Sequence, residues 1–290
     1  MPAYDLAVAY RVYPQVSPPA RTLPFGDDKL ALAEACLRSF RDSLGPLRVK
    51  LWAVLDTCPP AYTAVFRRYF PASDLEIVPL EKAGNTATFS RQIDILLAQQ
   101  AAELVYFAED DYFYLPGQFA EMPEFLQRHS DVDFVSPYDH PDCYRLPLHR
   151  GSKLLRAAGA RHWRTAASTC LTFLTRRRTL AEYERVFRSY ARGNFDCSMW
   201  LSLTKHRVRN PLAALRFLAH NDFAWKIFAK AWLFAGPQIA FGRRSSLWVP
   251  VPAIATHLDS AGLAPGVNWI AALERSRAEL TCAARQSGDD

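Results

Sequence analysis

The sequence predicts an α/β protein in which a mostly parallel sheet is flanked by helices. Short apolar runs alternate with segments whose apolar residues have helical spacing, and several of the runs end in polar clusters. Such alternation is typical of βαβ units, whose strands are buried on both faces. Half of the 290 residues are apolar, which excludes a disordered chain and suits one large domain or two small ones.

The first half of the chain alternates strands and helices. Short apolar runs predict strands at 5–12, 49–55, 75–80 and 104–108. Apolar residues at helical spacing predict the intervening helices at 30–44, 62–70 and 89–97. Gly45-Pro46 and Pro71 end the first two of these helices.

The second half is less regular. Helices are predicted near 118–128, at 180–190, from Asp196 onward and near 269–284. Strands or extended chain are predicted at 132–136, at 163–174 and in an apolar run that ends at Thr256-His257. We expect a core over 1–205 and a mainly helical C-terminal extension over 206–290, which returns His257 to the core.

Charge and cysteine content narrow the class of protein. The net charge of +6 is mild, so it hints at anionic partners without identifying one. Six scattered cysteines without a CxxC pair argue against a zinc module or a disulfide scaffold and favour a reducing, cytoplasmic compartment. The N-terminus has no pattern of a signal peptide, and no apolar run is long enough to predict a spanning helix.

Polar side chains follow three of the predicted strands. Arg11 ends the first strand, Asp56 the second, and Glu109-Asp110-Asp111 the strand at 104–108. Ligands of such sheets bind at the carboxyl ends of the strands, so these residues predict a binding site. Adjacent carboxylates repel one another, and a hard divalent cation such as Mg²⁺ or Mn²⁺ would offset their charge. The alternative is a solvated acidic turn that caps the next helix.

The stretch that leads to these acids resembles a known family. Gly84 and Asn85 form a turn before a helix that carries Arg91, and a strand then ends in the acidic motif 109–111. This order resembles GT-A fold glycosyltransferases, in particular glycosyltransferase family 2, whose DxD-type motif is here Glu-Asp-Asp. The resemblance covers about 5–205 together with His257.

The resemblance implies a set of metal ligands and a base. Asp111 is the expected ligand of Mn²⁺ or Mg²⁺, with His257 completing the metal site, and Glu109 or Asp110 lies nearer the ribose. Glu109 remains a candidate metal ligand as well. Asp196 is the expected catalytic base, and a second carboxylate is its rival, Asp139.

The resemblance and the strand-end positions together imply a nucleotide site. Tyr10 would stack on the base, Asn85, Arg11 and Arg91 would lie near the phosphates, and Asp56 would hold the base or ribose. The alternatives are a core-rim Tyr10, surface arginines at 11 and 91, and a helix-capping Asp56.

The expected function is metal-dependent, inverting transfer of a sugar from a nucleotide diphosphate sugar to a glycan or lipid-linked acceptor, as in polysaccharide biosynthesis. The alternatives are a nucleotidyltransferase and a catalytically degenerate GT-A domain that binds or assembles glycans. The basic, aromatic stretch 207–248 suits the inner face of a membrane, although simple packing on the core is the interpretation we favour. Its sparse charge argues against nucleic acid.

Overall fold

A nine-stranded sheet forms the centre of the protein in the residues that the computed structural model describes, 3–219 and 223–286. Together with a separate two-stranded sheet, the strands in chain order are β1 (Leu6–Val12), β2 (Val49–Asp56), β3 (Leu75–Leu80), β4 (Leu104–Glu109), β5 (Tyr112–Tyr114), β6 (Phe134–Val135), β7 (Leu155–Ala158), β8 (Arg161–Ala166), β9 (Phe173–Arg176), β10 (Leu247–Val251) and β11 (Ala255–His257). The order in the main sheet is β3-β2-β1-β4-β9-β6-β10-β8-β7, and β5 pairs separately with β11.

The direction of the strands divides the sheet. The four strands β1 to β4 are parallel to one another, and β10 is parallel to β6. The strand β9 is antiparallel to both of its neighbours, and so is β8. All other strands of the main sheet therefore share one direction, which confirms the predicted α/β class with a mostly parallel sheet.

Helices cover both faces of the sheet. They are α1 (Lys29–Ser43), α2 (Pro60–Tyr69), α3 (Gly84–Ala98), α4 (Glu121–Arg128), α5 (Asp142–Arg145), α6 (Arg177–Glu182), α7 (Glu184–Phe187), α8 (Asp196–Thr204), α9 (Pro211–Ala219), α10 (Ala224–Phe241) and α11 (Trp269–Gln286). Inside α10, Ala235 has a non-helical backbone and Pro237 follows it. Proline removes a backbone hydrogen bond, which accounts for the kink at this point.

The alternation of side chains along β1 separates two cores. Leu6, Val8 and Tyr10 face the core formed with α1 and α2. Ala7 and Ala9 face the opposite core, which includes residues of α3. Successive strand residues point to opposite faces, so Arg11 lies on the α3 side of the sheet and Tyr10 does not.

The second half of the chain differs from the predicted elements. The expected extended stretch 163–174 is interrupted between β8 and β9, and β5 and β7 had no counterpart in the prediction. The segment after residue 206 contains the helices α9, α10 and α11, as its predicted helical character requires, and it also contributes β10 to the main sheet. The division into 1–205 and 206–290 stays a prediction.

Candidate active site

A cleft with a volume of about 720 Å³ opens at the carboxyl ends of β1, β2 and β4. Parallel strands place their carboxyl ends at one edge of the sheet, so side chains that are distant in sequence meet there. The predicted site residues that line this cleft are Arg11, Asp56, Asn85, Glu109, Asp110, Asp111, Asp196 and His257.

Glu109 is held on the α3 side of the cleft. Its carboxylate forms an ion pair with Arg11 and accepts a hydrogen bond of 2.8 Å from the Thr172 hydroxyl. Arg11 also donates to the side-chain oxygen of Asn85 and to its backbone oxygen, the latter at 3.1 Å. The first acid of the motif therefore organises the wall of the cleft together with Arg11, and both of its oxygens have protein partners.

Asp110 points to the other side of the strand and meets a lysine. Its Oδ2 lies 2.8 Å from Lys29 Nζ at the start of α1 and accepts a bond of 3.2 Å from the Tyr13 backbone N–H. Burial raises the pKa of Asp110, and the Lys29 charge opposes that rise. The pair ties the loop after β1 to the end of β4.

Asp111 and His257 form the third pair. The antiparallel ladder of β5 and β11 sets Tyr112 opposite His257, which brings the imidazole to the acidic motif. His257 Nε2 lies 3.1 Å from Asp111 Oδ2. Burial alone would lower the pKa of His257, but the negative charge of Asp111 outweighs it and raises the pKa to about 9.

One oxygen of the Asp111 carboxylate has no hydrogen-bond partner among the described residues. Burial favours a raised pKa, but the positive charges of His257, Lys29 and Arg11 hold the pKa of Asp111 below its ordinary value. Its Oδ1 is buried without a hydrogen-bond partner in the described residues. An orphaned carboxylate oxygen beside an imidazole is a donor set that Mn²⁺ or Mg²⁺ accepts.

Glu109 stays apart from this donor set because Arg11 and Thr172 occupy its oxygens. Among residues 3–219 and 223–286, no group of three or more His, Cys, Asp or Glu side chains is assembled as a metal site. A cation held by Asp111 and His257 would take its remaining ligands from substrate and water.

Asp56 fixes the turn that leads into α3. Its two oxygens accept hydrogen bonds from the backbone N–H groups of Ala83, at 2.9 Å, and Gly84, at 2.7 Å. Gly84 has φ of +77°, a conformation that glycine adopts without strain. This turn presents Asn85 to the cleft, where its amide donates to the Tyr190 hydroxyl at 2.8 Å.

Asp196 lies on the opposite wall, as the first residue of α8. Its Oδ1 accepts a bond of 2.6 Å from the Cys197 backbone N–H, which is favourable at a helix N-terminus. Burial raises the pKa of Asp196, and the Glu109 charge adds to the rise. The carboxylate is thus a better proton acceptor than an exposed aspartate.

Three of the predicted residues lie outside the cleft. Tyr10 is fully buried, with its ring against Phe40 and Phe66, because strand alternation turns it away from Arg11. Arg91 is exposed on α3 and does not line the cleft. We therefore leave both residues out of the proposed nucleotide site.

Asp139, the rival base, is also elsewhere. Its carboxylate is 1% exposed, forms an ion pair with Arg164 and accepts a hydrogen bond from the Tyr144 hydroxyl. It lines a different cavity, of about 520 Å³. A buried carboxylate that is saturated by an arginine and a tyrosine serves structure, so Asp196 is the better candidate for the base.

Lys29, Tyr13 and Tyr190 line the cleft, and the sequence patterns did not assign them there. Tyr13 is 47% exposed, whereas Tyr10, for which we expected a position in the cleft, is fully buried. The two-residue period of a strand was a signal for separating Tyr10 from Arg11. No local pattern links Lys29 or Tyr190 to residues 80 or more positions away.

The cleft and the sheet define an α/β protein with a polar site at the ends of its parallel strands. The chain is similar to S. aureus TarS, with 12% identity over 64% of this chain and 55% of that chain and a TM-score of 0.39. It is also similar to a TarS complex with UDP-GlcNAc, with 13% identity over 62% of this chain and 48% of that chain and a TM-score of 0.39. It therefore spans about half the length of the TarS structures.

A third similar structure is assigned as a nucleotide-diphospho-sugar transferase from Desulfovibrio desulfuricans G20. The identity is 11% over 69% of this chain and 75% of that chain, with a TM-score of 0.40. Solved structures similar to this chain thus include nucleotide-sugar transferases. Neither a protein-family model nor a curated protein matches the sequence.

Proposed function

We propose that this protein is a glycosyltransferase that moves a sugar from a nucleotide diphosphate sugar to a hydroxyl of a glycan or lipid-linked acceptor. The observation that carries the proposal is that Asp196 shares one cleft with the Asp111–His257 pair and the Asp56 turn. The cleft thus combines a proton acceptor, a donor set for a cation and a strand-end polar wall.

Asp196 is proposed as the base. Transfer to a hydroxyl requires removal of its proton as the new glycosidic bond forms, and a carboxylate within hydrogen-bond reach can accept it. Burial and the Glu109 charge raise the pKa of Asp196, which strengthens the ionised carboxylate as a proton acceptor. With one base and no second carboxylate assigned as nucleophile, we propose a single displacement with inversion.

Asp111 and His257 are proposed to hold Mn²⁺ or Mg²⁺. When bound, the cation neutralises charge on the diphosphate leaving group. His257 is protonated at neutral pH in the pair described above, so the cation would replace the proton that joins the two side chains. The spare oxygen of Asp111 is the second donor.

The nucleoside is proposed to lie along the wall that Tyr13, Asp56 and Asn85 form. The exposed ring of Tyr13 offers a stacking face. Arg11 reaches the cleft but is neutralised by Glu109, so we assign it to positioning Asn85 and not to binding phosphate directly.

The Arg11–Glu109 pair also favours one alternative. It commits the first acid of the motif to a protein partner, as expected in a degenerate GT-A domain that binds glycan without catalysis. The nucleotidyltransferase alternative differs in its product, which is pyrophosphate and not nucleoside diphosphate.

A thermal-shift screen of nucleoside diphosphates with and without Mn²⁺ tests the proposal, because a ligand of the native state raises the melting temperature. Hydrolysis of the matching nucleotide sugars is then assayed in wild type, Asp111→Asn and the exposed control Arg91→Gln. Metal-dependent release of nucleoside diphosphate that is lost in Asp111→Asn alone supports the proposal. Equal activity of wild type and Asp111→Asn would refute it, and pyrophosphate release would favour the nucleotidyltransferase.

We also propose a cytoplasmic location with a peripheral membrane contact through 207–248. Among the described residues, no helix combines the length and apolar character needed to span a bilayer. Several apolar residues of α10 are buried, whereas Leu233, at 77%, and Phe241, at 91%, are exposed. Vesicle flotation of wild type against Leu233→Ser/Phe241→Ser tests the contact, and equal flotation of the two would refute it.

A further inference from the structure

A second cavity lies beyond the C-terminal end of α8, and four of the residues that line it are arginines. Its volume is about 790 Å³, which is within the range of small-molecule sites. Its lining residues all belong to the described part of the chain and include no Asp or Glu. The charged residues among them are Arg150, Arg207, Arg216 and Arg244.

Three arginines of this cavity have no carboxylate partner in the part of the chain that the structure describes. Arg150, Arg207 and Arg244 form no ion pair with Asp or Glu within residues 3–219 and 223–286. Arg150 and Arg244 are exposed, whereas Arg207 is partly buried. Guanidinium groups remain charged at every physiological pH, so their mutual repulsion favours an anion between them.

The backbone at Gly151 runs close to the His206 ring. Gly151 has φ of +143°, and a Cβ at this position would lie 3.2 Å from His206 Cε1. His206 Nε2–H donates to the Leu148 carbonyl at 3.1 Å. Burial lowers the pKa of His206 to about 4, so the ring is neutral and can remain beside the arginines.

Arg207 is already oriented. It donates to the Pro147 carbonyl at 2.7 Å and lies over the Phe217 ring at 5.7 Å. These contacts restrict the side chain while leaving further N–H donors available. Less conformational entropy is then lost when a ligand binds.

We propose that this arginine-lined cavity binds a phosphate or diphosphate group of the acceptor. Guanidinium groups match phosphate oxygens with paired hydrogen bonds, and sugar hydroxyls do not call for several arginines. The nine-residue α8 begins at Asp196 and ends at Thr204, two residues before His206 of the cavity, and the Cα atoms of its two end residues are roughly 12 Å apart. A short oligosaccharide spans that distance, so the inference rests on the proposed function and adds the acceptor's chemical class to it.

Isothermal titration with inorganic pyrophosphate in EDTA tests the site in the full chain. Arg150→Gln/Arg244→Gln removes two exposed charges, and Arg67→Gln/Arg178→Gln is the matched control at exposed arginines outside the cavity. We expect the first variant to bind at least about tenfold more weakly, because each charge-assisted bond contributes more than a neutral one. No binding by wild type, or equal affinity in all three proteins, overturns the proposal. Equal melting temperatures exclude a folding effect.

The phosphate could belong to a soluble glycan or to a lipid headgroup. Sedimentation with phosphatidylglycerol vesicles, compared with phosphatidylcholine vesicles, distinguishes these two sources. If wild type binds the anionic vesicles and Arg150→Gln/Arg244→Gln does not, the phosphate belongs to a lipid. If the protein binds pyrophosphate but no vesicles, the phosphate belongs to a soluble group. The proposed function is refuted by a different result, because it requires Mn²⁺-dependent nucleotide binding that is lost in Asp111→Asn. Retained pyrophosphate binding in Asp111→Asn keeps the two outcomes distinct.

Discussion

The substitution Asp139→Asn separates a structural carboxylate from a catalytic one. Asp139 is 1% exposed, and its partner Arg164 has 7% of its side chain exposed. The asparagine has nearly the same volume, so the change removes charge and creates no cavity. Arg164 is left buried without its counter-charge.

The expected loss of stability follows from the remaining contacts. Removing one member of a buried ion pair costs about 3–5 kcal/mol. Arg164 keeps hydrogen bonds of 3.2 Å to the Tyr144 hydroxyl and the Thr165 carbonyl. We therefore expect the free energy of unfolding to fall by about 3 kcal/mol, the lower end of that range. For a chain of 290 residues, this lowers the melting temperature by about 5 °C.

Calorimetry gives the melting temperature, and donor hydrolysis per folded molecule is measured well below it. Asp131→Asn is the matched control, because Asp131 pairs with Arg156 at 2.6 Å but has 60% of its side chain exposed. Exposed pairs contribute at most about 1 kcal/mol. An unchanged melting temperature in Asp139→Asn, or a loss of hydrolysis per folded molecule as large as that of Asp196→Asn, would refute the structural assignment.

Three further changes probe the cleft. Asp196→Asn should lower kcat by a factor of about 10² or more. In wild type, kcat/KM should fall as the pH drops through the raised pKa of Asp196, and the pH profile of the variant should lack this fall. The same variant should melt higher than wild type at pH 7, because burial of the ionised carboxylate costs stability that develops as the pH rises from the ordinary aspartate pKa through the raised pKa of the folded state. The difference should be small at pH 3.5, and equal shifts at pH 3.5 and 7 would contradict this. His257→Ala should abolish the extra melting-temperature rise that Mn²⁺ gives with a nucleoside diphosphate, and a retained rise would exclude His257 as a ligand. Asp56→Ala should cost about 2 kcal/mol in urea unfolding, because two backbone N–H groups lose a charged acceptor, and a cost below about 0.5 kcal/mol would argue against the turn.

The parallel half of the fold was predictable because its information is local. Strand and helix periods are each visible within a few residues, and the ends of β1, β2 and β4 carry the polar residues that meet in the cleft. The two-residue period of a strand also predicts that Tyr10 and Arg11 face opposite sides of the sheet. The assignment of Tyr10 to the nucleotide site overlooked that rule.

The pairings between distant segments were not predictable from local patterns. Lys29 meets Asp110 and Arg164 meets Asp139 through tertiary packing. A loop carboxylate such as Asp139 looks the same in sequence whether it faces solvent, a substrate or a buried arginine. Similarly, β10 has the pattern of any apolar strand, and its place between β6 and β8 depends on the whole sheet.

The pairing of the acidic motif bears on how the protein can be handled. Each of its carboxylates has its own cation: Arg11 for Glu109, Lys29 for Asp110 and His257 for Asp111. Charges matched one to one within the chain do not need an external ion to keep them together, unlike sites whose folding depends on a metal. The chelated protein should therefore remain folded, which makes purification in EDTA followed by controlled addition of Mn²⁺ or Mg²⁺ a practical way to test the proposed metal dependence.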